Sequence, residues 1–238
     1  MIIYIITIGE FMKKFYKFLS LALLVTILIP SNNPKAYIDS NSIEPKYIIY
    51  IDVNSFTLSL INNKTKLTEK IYPVAIGKPN TPSPIGTWQI TSKALMKDAF
   101  GGYWLGLDAP WDTFGIHGTN RPDSIGTMAS GGCIRMYNHN VKELFNLVDY
   151  GTSVVIIGGP NWRFSNYNRI IKPNNRGTDV YLVQMKLKAL GYFPYPITGI
   201  YESTLEKAVL SYKEEHGFPV TNEIDSKFLD SIGLWKFE

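Results

Sequence analysis

Between Gly158 and Gly177 the apolar pattern of this chain changes period, and the change requires two folding units of different class. Upstream, apolar and β-branched residues run in short β-rich stretches. Residues 47–52 and 56–61 are of this kind, with Asp52 to Ser55 supplying turn residues between them, and residues 71–76, 87–91, 113–116 and 153–157 follow the pattern. Residues 77–86, crowded with proline and glycine, form a loop between two of these strands. One helix interrupts the β region: Val141, Leu144, Phe145 and Val148 share a face, Asn140 is placed to cap it with Glu143 three residues on, and Gly151 stops it. Downstream the period is 3.6. Val180, Val183, Leu187 and Leu190 form one helix face; Ser203 to Glu206 reads as a capping box opening a second helix; Asp225 caps a short third. Residues 159–175, rich in Gly, Pro, Asn and Arg, read as the linker.

The N-terminus carries its own pattern. Lys13, Lys14 and Lys17 precede a mainly apolar run, residues 18–29, with Ala36 beyond it, which is the arrangement of a secretory signal. The run is shorter than the roughly 20 residues of a membrane span. Pro34-Lys35-Ala36 lacks the small residue expected two before Ala36, so residues 1–36 read as either a cleaved signal peptide or a retained anchor. Met12 heads the basic stretch and is the alternative translation start. An exported protein at the cell wall or the outer face of the cytoplasmic membrane follows. The formal net charge of +4 resides mostly here: without residues 1–36, 20 basic residues face 19 acidic ones. A near-neutral body has no electrostatic footprint for nucleic acid. Membrane contact is expected only through an uncleaved N-terminus, and the protein is expected to be a monomer.

Export makes the single cysteine, Cys133, conspicuous, because it has no disulfide partner within the chain and an exposed thiol outside the cell is prone to oxidation. One of only three histidines, His117, lies sixteen positions before it. A cysteine nucleophile needs a base or a positive neighbour, and a loop of this length can return the thiol to the imidazole. Gly131 and Gly132 let backbone N–H groups approach a developing oxyanion, and Arg135 suits a substrate carboxylate. A lone histidine is more often structural and a glycine pair often only a turn, so spacing alone leaves a buried, inert cysteine open as a reading. One cysteine and three histidines without close pairs give no metal-binding spacing; no metal and no cofactor are expected.

The stretch from His117-Gly118-Thr119-Asn120 to Ser130-Gly131-Gly132-Cys133-Ile134-Arg135 resembles the signature of the L,D-transpeptidases (the YkuD domain family): a histidine, a loop, then Ser-His-Gly-Cys followed by an arginine. Tyr72 to Lys78, the proline loop from Thr81 to Gly86, and Trp104 to Leu107 also resemble that family. The resemblance implies a mainly-β catalytic domain, a YkuD-like β-sandwich, over residues 46–158. It implies that Cys133 attacks a carbonyl in a peptidoglycan stem tetrapeptide and expels D-alanine, and that an amine acceptor resolves the thioester. His117 would be the base and the Gly132 amide an oxyanion donor, with Ser130, Gly131, Asn120 and Arg135 touching substrate. Gly118 has no hydroxyl, so its backbone carbonyl is left to orient the imidazole. The family's second histidine is Gly131 here, a departure that removes a supporting group. His139, at a helix start, is expected to be solvent-exposed.

Residues 176–236 resemble a three-helix peptidoglycan-binding domain through Asp179-Val180, Gln184, Leu187, Leu190-Gly191-Tyr192, Thr198-Gly199 and Ala208-Val209. Their lysines (Lys186, Lys188, Lys207 and Lys213) read as a solvated outer face. Both resemblances point to peptidoglycan as substrate and partner. The alternatives are an L,D-carboxypeptidase, in which water resolves the thioester, and a catalytically inactive wall-binding protein.

Overall fold

The computed structural model describes residues 44–158 and 169–234; residues 1–36, expected to be a signal peptide or anchor, and the first part of the expected linker lie outside these residues. The β region is built from β1 (Tyr47–Asp52), β2 (Thr57–Asn62), β3 (Thr68–Gly77), β4 (Gly86–Leu95), β5 (Tyr103–Leu107), β6 (Phe114–His117), β7 (Met128–Ser130), β8 (Ile134–Met136) and β9 (Ser153–Ile157). Their order is β2-β1-β9-β4-β5-β6-β8-β3-β7, and β2 also pairs with β3, so eight strands close a circuit and β7 adds to its edge. Two ten-residue strands make closure possible. The first half of β4 pairs with β9 and its second half with β5; β3 likewise passes from β2 to β8. Each therefore bends from one sheet into the other, with register shifts at Leu60/Ile61 opposite β3 and at Ile90/Ser92. The result is a β-rich barrel or sandwich, as expected.

Alternation decides what faces inward. Ile49, Ile51, Leu58, Leu60, Ile90, Leu105 and Ile116 are fully buried, while Ile48 and Tyr50 are half-buried. Helix α1 (Asn138–Leu147) lays Val141 and Leu144 onto this core. It starts three residues earlier than an Asn140 cap predicts, with Tyr137 at the N-cap and no side-chain cap bond; Glu143, expected in a capping box, instead bonds Tyr72 and pairs with Lys70 on β3.

The helical module comprises α2 (Thr178–Ala189), α3 (Ser203–Glu215) and α4 (Ser226–Ser231). Val180, Val183 and Leu187 face its core, but Leu190 is exposed, because the helix ends before it and Gly191 turns the chain at φ 87°. Ser203 does not cap α3; Glu202 holds that position without a side-chain bond. Asp225 does cap α4, accepting from the Phe228 amide at 2.8 Å. Ile171, inside the expected linker, is buried in this core and bridges to Ile224. Gln184 holds the loop before α3 by accepting from the Thr198 and Gly199 amides and donating to the Ile200 carbonyl. Lys213 is not on the outer face: it is buried, and its ammonium donates to Thr221 Oγ1 and the Glu223 carbonyl.

The module docks against the β region. Tyr181 packs edge-on to Trp88 at 5.4 Å and tilted against Trp111 at 5.6 Å. Thr178 Oγ1 accepts from the Ile85 amide at 3.2 Å. Trp111 lies so close to Gly199 that a Cβ there would stand 2.4 Å from the indole, which makes glycine obligatory. Arg176 pairs with Asp112 at 3.4 Å.

Candidate active site

Strands β6 and β8 run parallel, with Ile116 opposite Ile134 and His117 opposite Arg135. Cys133 immediately precedes β8, so pairing of two short strands brings together residues sixteen apart in sequence. His117 is the last residue of β6 and only 5% exposed. Its imidazole stacks on Trp104, its cross-strand partner from β5, at 5.7 Å and 22°, and meets Phe100 edge-on at 4.8 Å. Nδ1 lies 2.5 Å from the Gly118 carbonyl. A carbonyl only accepts, so the proton is on Nδ1 and Nε2 carries the lone pair.

Packing explains why residue 118 is glycine. A Cβ there would stand 2.5 Å from Asn138 Oδ1 and 2.9 Å from Gly101 Cα. Asn138 Oδ1 accepts from the Thr119 amide at 2.8 Å and so ties the loop after His117 to the start of α1. Asn120, one residue further, is exposed. His139 is also exposed and stacks on Tyr137.

The loop bearing Cys133 is closed by its own serine. Ser130 is 1% exposed; its hydroxyl donates to the Cys133 carbonyl at 2.6 Å and accepts from the Gly132 amide at 3.0 Å. The Ser130 carbonyl accepts from the Lys78 amide and Thr81 Oγ1, which fastens this loop to the proline loop. The Gly132 amide is thus engaged within the loop in this state, and Ser130 spends its hydroxyl on loop geometry rather than presenting it to a ligand. Gly132 has φ 121°, and a Cβ there would stand 2.7 Å from Phe114 Cε1. Gly131 differs: it is exposed, and nothing lies within 4 Å of its Cβ position, so a side chain would fit.

The Cys133 thiol is half-buried and points toward the Thr113 carbonyl at 3.9 Å; among the described residues it makes no bond to His117. Burial pushes the thiol above its ordinary value, opposed by the Gly115 amide and Arg135 and reinforced by Asp112. Burial pushes His117 below its ordinary value, helped by Arg135 and opposed by the Gly118 bond. At neutral pH the pair therefore rests as thiol and neutral imidazole rather than as an ion pair. Arg135 is half-buried on β8 and lowers both groups: it favours the thiolate and keeps the imidazole neutral before the transfer, while making that imidazole a weaker base. Among the described residues, no cluster of three or more His, Cys, Asp or Glu is arranged to hold a metal ion.

Trp104, Phe100, Asn138 and Thr113 escape a reading of the sequence as contributors to this site. Alternation through Tyr103-Trp104-Leu105, after the Gly101-Gly102 turn, is the signal for β5 and hence for the aromatic behind His117. Nothing local signals Asn138, which acts across nineteen residues.

Residues 46–156 match the family model described as the L,D-transpeptidase catalytic domain (YkuD), and residues 176–232 match one described as "Putative peptidoglycan binding domain". The chain thus carries a YkuD-type catalytic domain followed by a region that matches a peptidoglycan-binding domain, and it spans less than two thirds of the first of the curated relatives that it matches. The "Putative L,D-transpeptidase YkuD" of Bacillus subtilis is 43% identical over 112 residues, which cover 46% of this chain and 65% of that protein. The "Putative L,D-transpeptidase YqjB" of the same organism is 36% identical over 123 residues, covering 45% of this chain and 70% of that protein. The chain belongs to the L,D-transpeptidase (YkuD) family. Among solved structures, the catalytic domain of the Enterococcus faecium L,D-transpeptidase aligns at 26% identity with a TM-score of 0.41, over 47% of this chain and 96% of that one.

Proposed function

We propose that this chain is a peptidoglycan L,D-transpeptidase that works through a thioester on Cys133, outside the cytoplasmic membrane, with residues 1–36 directing export. The observation that carries the reading is the pairing of β6 with β8, which sets a neutral imidazole, its Nδ1 anchored on the Gly118 carbonyl, on the strand beside the thiol. His117 Nε2 takes the thiol proton as Sγ attacks the carbonyl of the L-centre in a stem tetrapeptide. The C–N bond to the terminal D-alanine breaks, and the same imidazole returns the proton to the departing amine. An amine of a neighbouring stem then attacks the thioester, loses its proton to Nε2, and expels the thiol as the cross-link forms. The Cys133 amide is the oxyanion donor nearest the reacting carbon, and the Gly132 amide joins it if the bond to Ser130 opens. The thiol–imidazole contact absent in the resting state forms as substrate displaces the thiol from the Thr113 carbonyl. The helical module holds the same polymer, which fits its match to a wall-binding domain.

Hydrolysis of the same thioester is the second reading: Cys133 is only half-buried, so water can reach the thioester carbon from the His117 side where no amine acceptor is held. Incubation of the chain and of Cys133→Ala with disaccharide-tetrapeptide, read by mass spectrometry, separates the outcomes. A dimer short of one alanine, absent with the variant, supports transpeptidation. Monomeric tripeptide replaces it with carboxypeptidase activity. No product from a chain that still binds purified wall rejects catalysis in favour of a binding protein.

A further inference from the structure

The docked helical module and the β region enclose a cleft of about 260 Å³ beside the candidate nucleophile, with Gly131, Thr81 and Asp112 on one side and Arg169, Arg176 and Asp179 on the other. We infer that this cleft is the acyl-donor subsite, and that Arg176 of the helical module recognises a carboxylate on the donor stem peptide. The inference rests on the proposed function and assigns the module a part in specificity besides wall attachment.

Strand β6 fixes the direction. Phe114, its first residue, and Trp111 and Asp112 just before it line the cleft, whereas His117 ends the strand and does not. Three residues of strand separate these ends by roughly 10 Å. The sulfur lies between, in contact with the Thr113 carbonyl and the Gly115 amide. The base must reach both the departing and the incoming amine, so those groups occupy the His117 side. The acyl portion of the donor then extends the opposite way, into the cleft, over the open face of Gly131.

The charge arrangement selects a carboxylate. Arg169 is 3.3 Å from the buried Asp179 and offsets it. Arg176 holds Asp112 only through a pair in which both side chains are more than half exposed, at 59% and 51%. Such pairs are weak, and a guanidinium with five donors retains capacity for a second carboxylate in fork geometry. The charged side chains lining the cleft balance, so recognition rests on the donors Arg176 can still offer rather than on a net field.

The test uses the full chain, with acyl-enzyme formation followed by intact-protein mass against concentration of a disaccharide-tetrapeptide whose carboxylates are free or amidated. Alkylation of Cys133 by iodoacetamide serves as the check that the nucleophile is intact. Arg176→Ala is expected to raise the half-saturating concentration of the free-carboxylate donor about tenfold, the scale of one charge-assisted bond, with alkylation unchanged and Arg176→Lys recovering part. The amidated donor is expected to bind the wild type about as weakly and to be indifferent to the substitution. Asp112→Ala breaks the same bridge between module and β region but frees the Arg176 guanidinium for the donor, so it is expected to lower the half-saturating concentration rather than raise it. Unchanged saturation in Arg176→Ala, continued sensitivity with the amidated donor, or an equal loss in Asp112→Ala (which would mean that docking, not recognition, is at work) would each overturn the inference. A wild type that alkylates but takes no acyl group overturns the proposed function, and this inference with it.

Discussion

Replacing Gly132 by alanine, with Gly131→Ala as its control, isolates the geometry of the loop that presents Cys133. At 132 the backbone has φ 121°, a conformation L side chains rarely adopt, and the added methyl would sit 2.7 Å from Phe114 Cε1 and 3.3 Å from the Pro82 carbonyl. The phenyl ring cannot swing away freely, because Phe114 is 5% exposed and packs against Trp111 at 5.8 Å. Backbone strain costs about 1–3 kcal/mol, and overpacking against a fixed ring adds about as much. We expect a loss of about 3 kcal/mol, or relief by displacement of the loop. At 131 the methyl meets nothing within 4 Å, and a change below about 0.5 kcal/mol is expected. For a body of this size 3 kcal/mol lowers the melting temperature by roughly 6–12 °C, readable by circular dichroism, and displacement of the loop changes the iodoacetamide rate at Cys133. A Gly132→Ala chain that melts and alkylates as wild type, or a Gly131→Ala chain equally damaged, would refute the reasoning.

Other expectations follow from the same geometry. Acylation should fall on an acid limb placed below pH 6.5, because burial lowers His117 and leaves it an active base at that pH, while iodoacetamide alkylation should climb through pH 9 because burial raises the thiol. A rate-against-pH series reporting a thiolate plateau from pH 5 would instead mean a pre-formed ion pair. Asn138→Ala should slow acylation with little change in donor saturation, since it frees the Thr119 amide behind His117 at a cost of about 1–2 kcal/mol; Asn138→Asp keeps the acceptor and should restore most of the rate. Tyr181→Ala should loosen the docked module by about 2 kcal/mol and shift the fluorescence of Trp88 and Trp111 to the red. Gly131→His, which the open space allows, should leave the melting temperature within about 1 °C of wild type; a larger drop would show that the space is not open.

Much of this architecture is legible from local pattern. The β1–β2 hairpin, β9, the core faces of the helices and the Asp225 cap all depend on residues within a few positions of one another. The proximity of His117 and Cys133 was readable only as a spacing, since strand pairing between β6 and β8 decides it. Strands β7 and β8 have three residues each, too short for periodicity, and β5 contains a glycine that weakens its pattern. Gly106 is there because a Cβ would strike Ser92 Oγ at 2.1 Å, a tertiary reason with no local signature. Lys213 reads as a surface lysine until the Thr221 and Glu223 partners, from a loop eight to ten residues on, are known. Docking of the module is likewise hidden: Trp111, Gly199 and Tyr181 each have a local reading as core or turn, and only the fold makes them one contact.

The central claim is a covalent acyl group on Cys133, formed with His117 as base. It is tested most directly by mixing the chain with disaccharide-tetrapeptide, quenching in acid within seconds, and measuring intact mass followed by peptide mapping. The account predicts a mass increase equal to the donor less D-alanine, located on the peptide holding Cys133, absent in Cys133→Ala and strongly slowed in His117→Ala. An adduct on any other residue, or one that forms at the wild-type rate without His117, would contradict it.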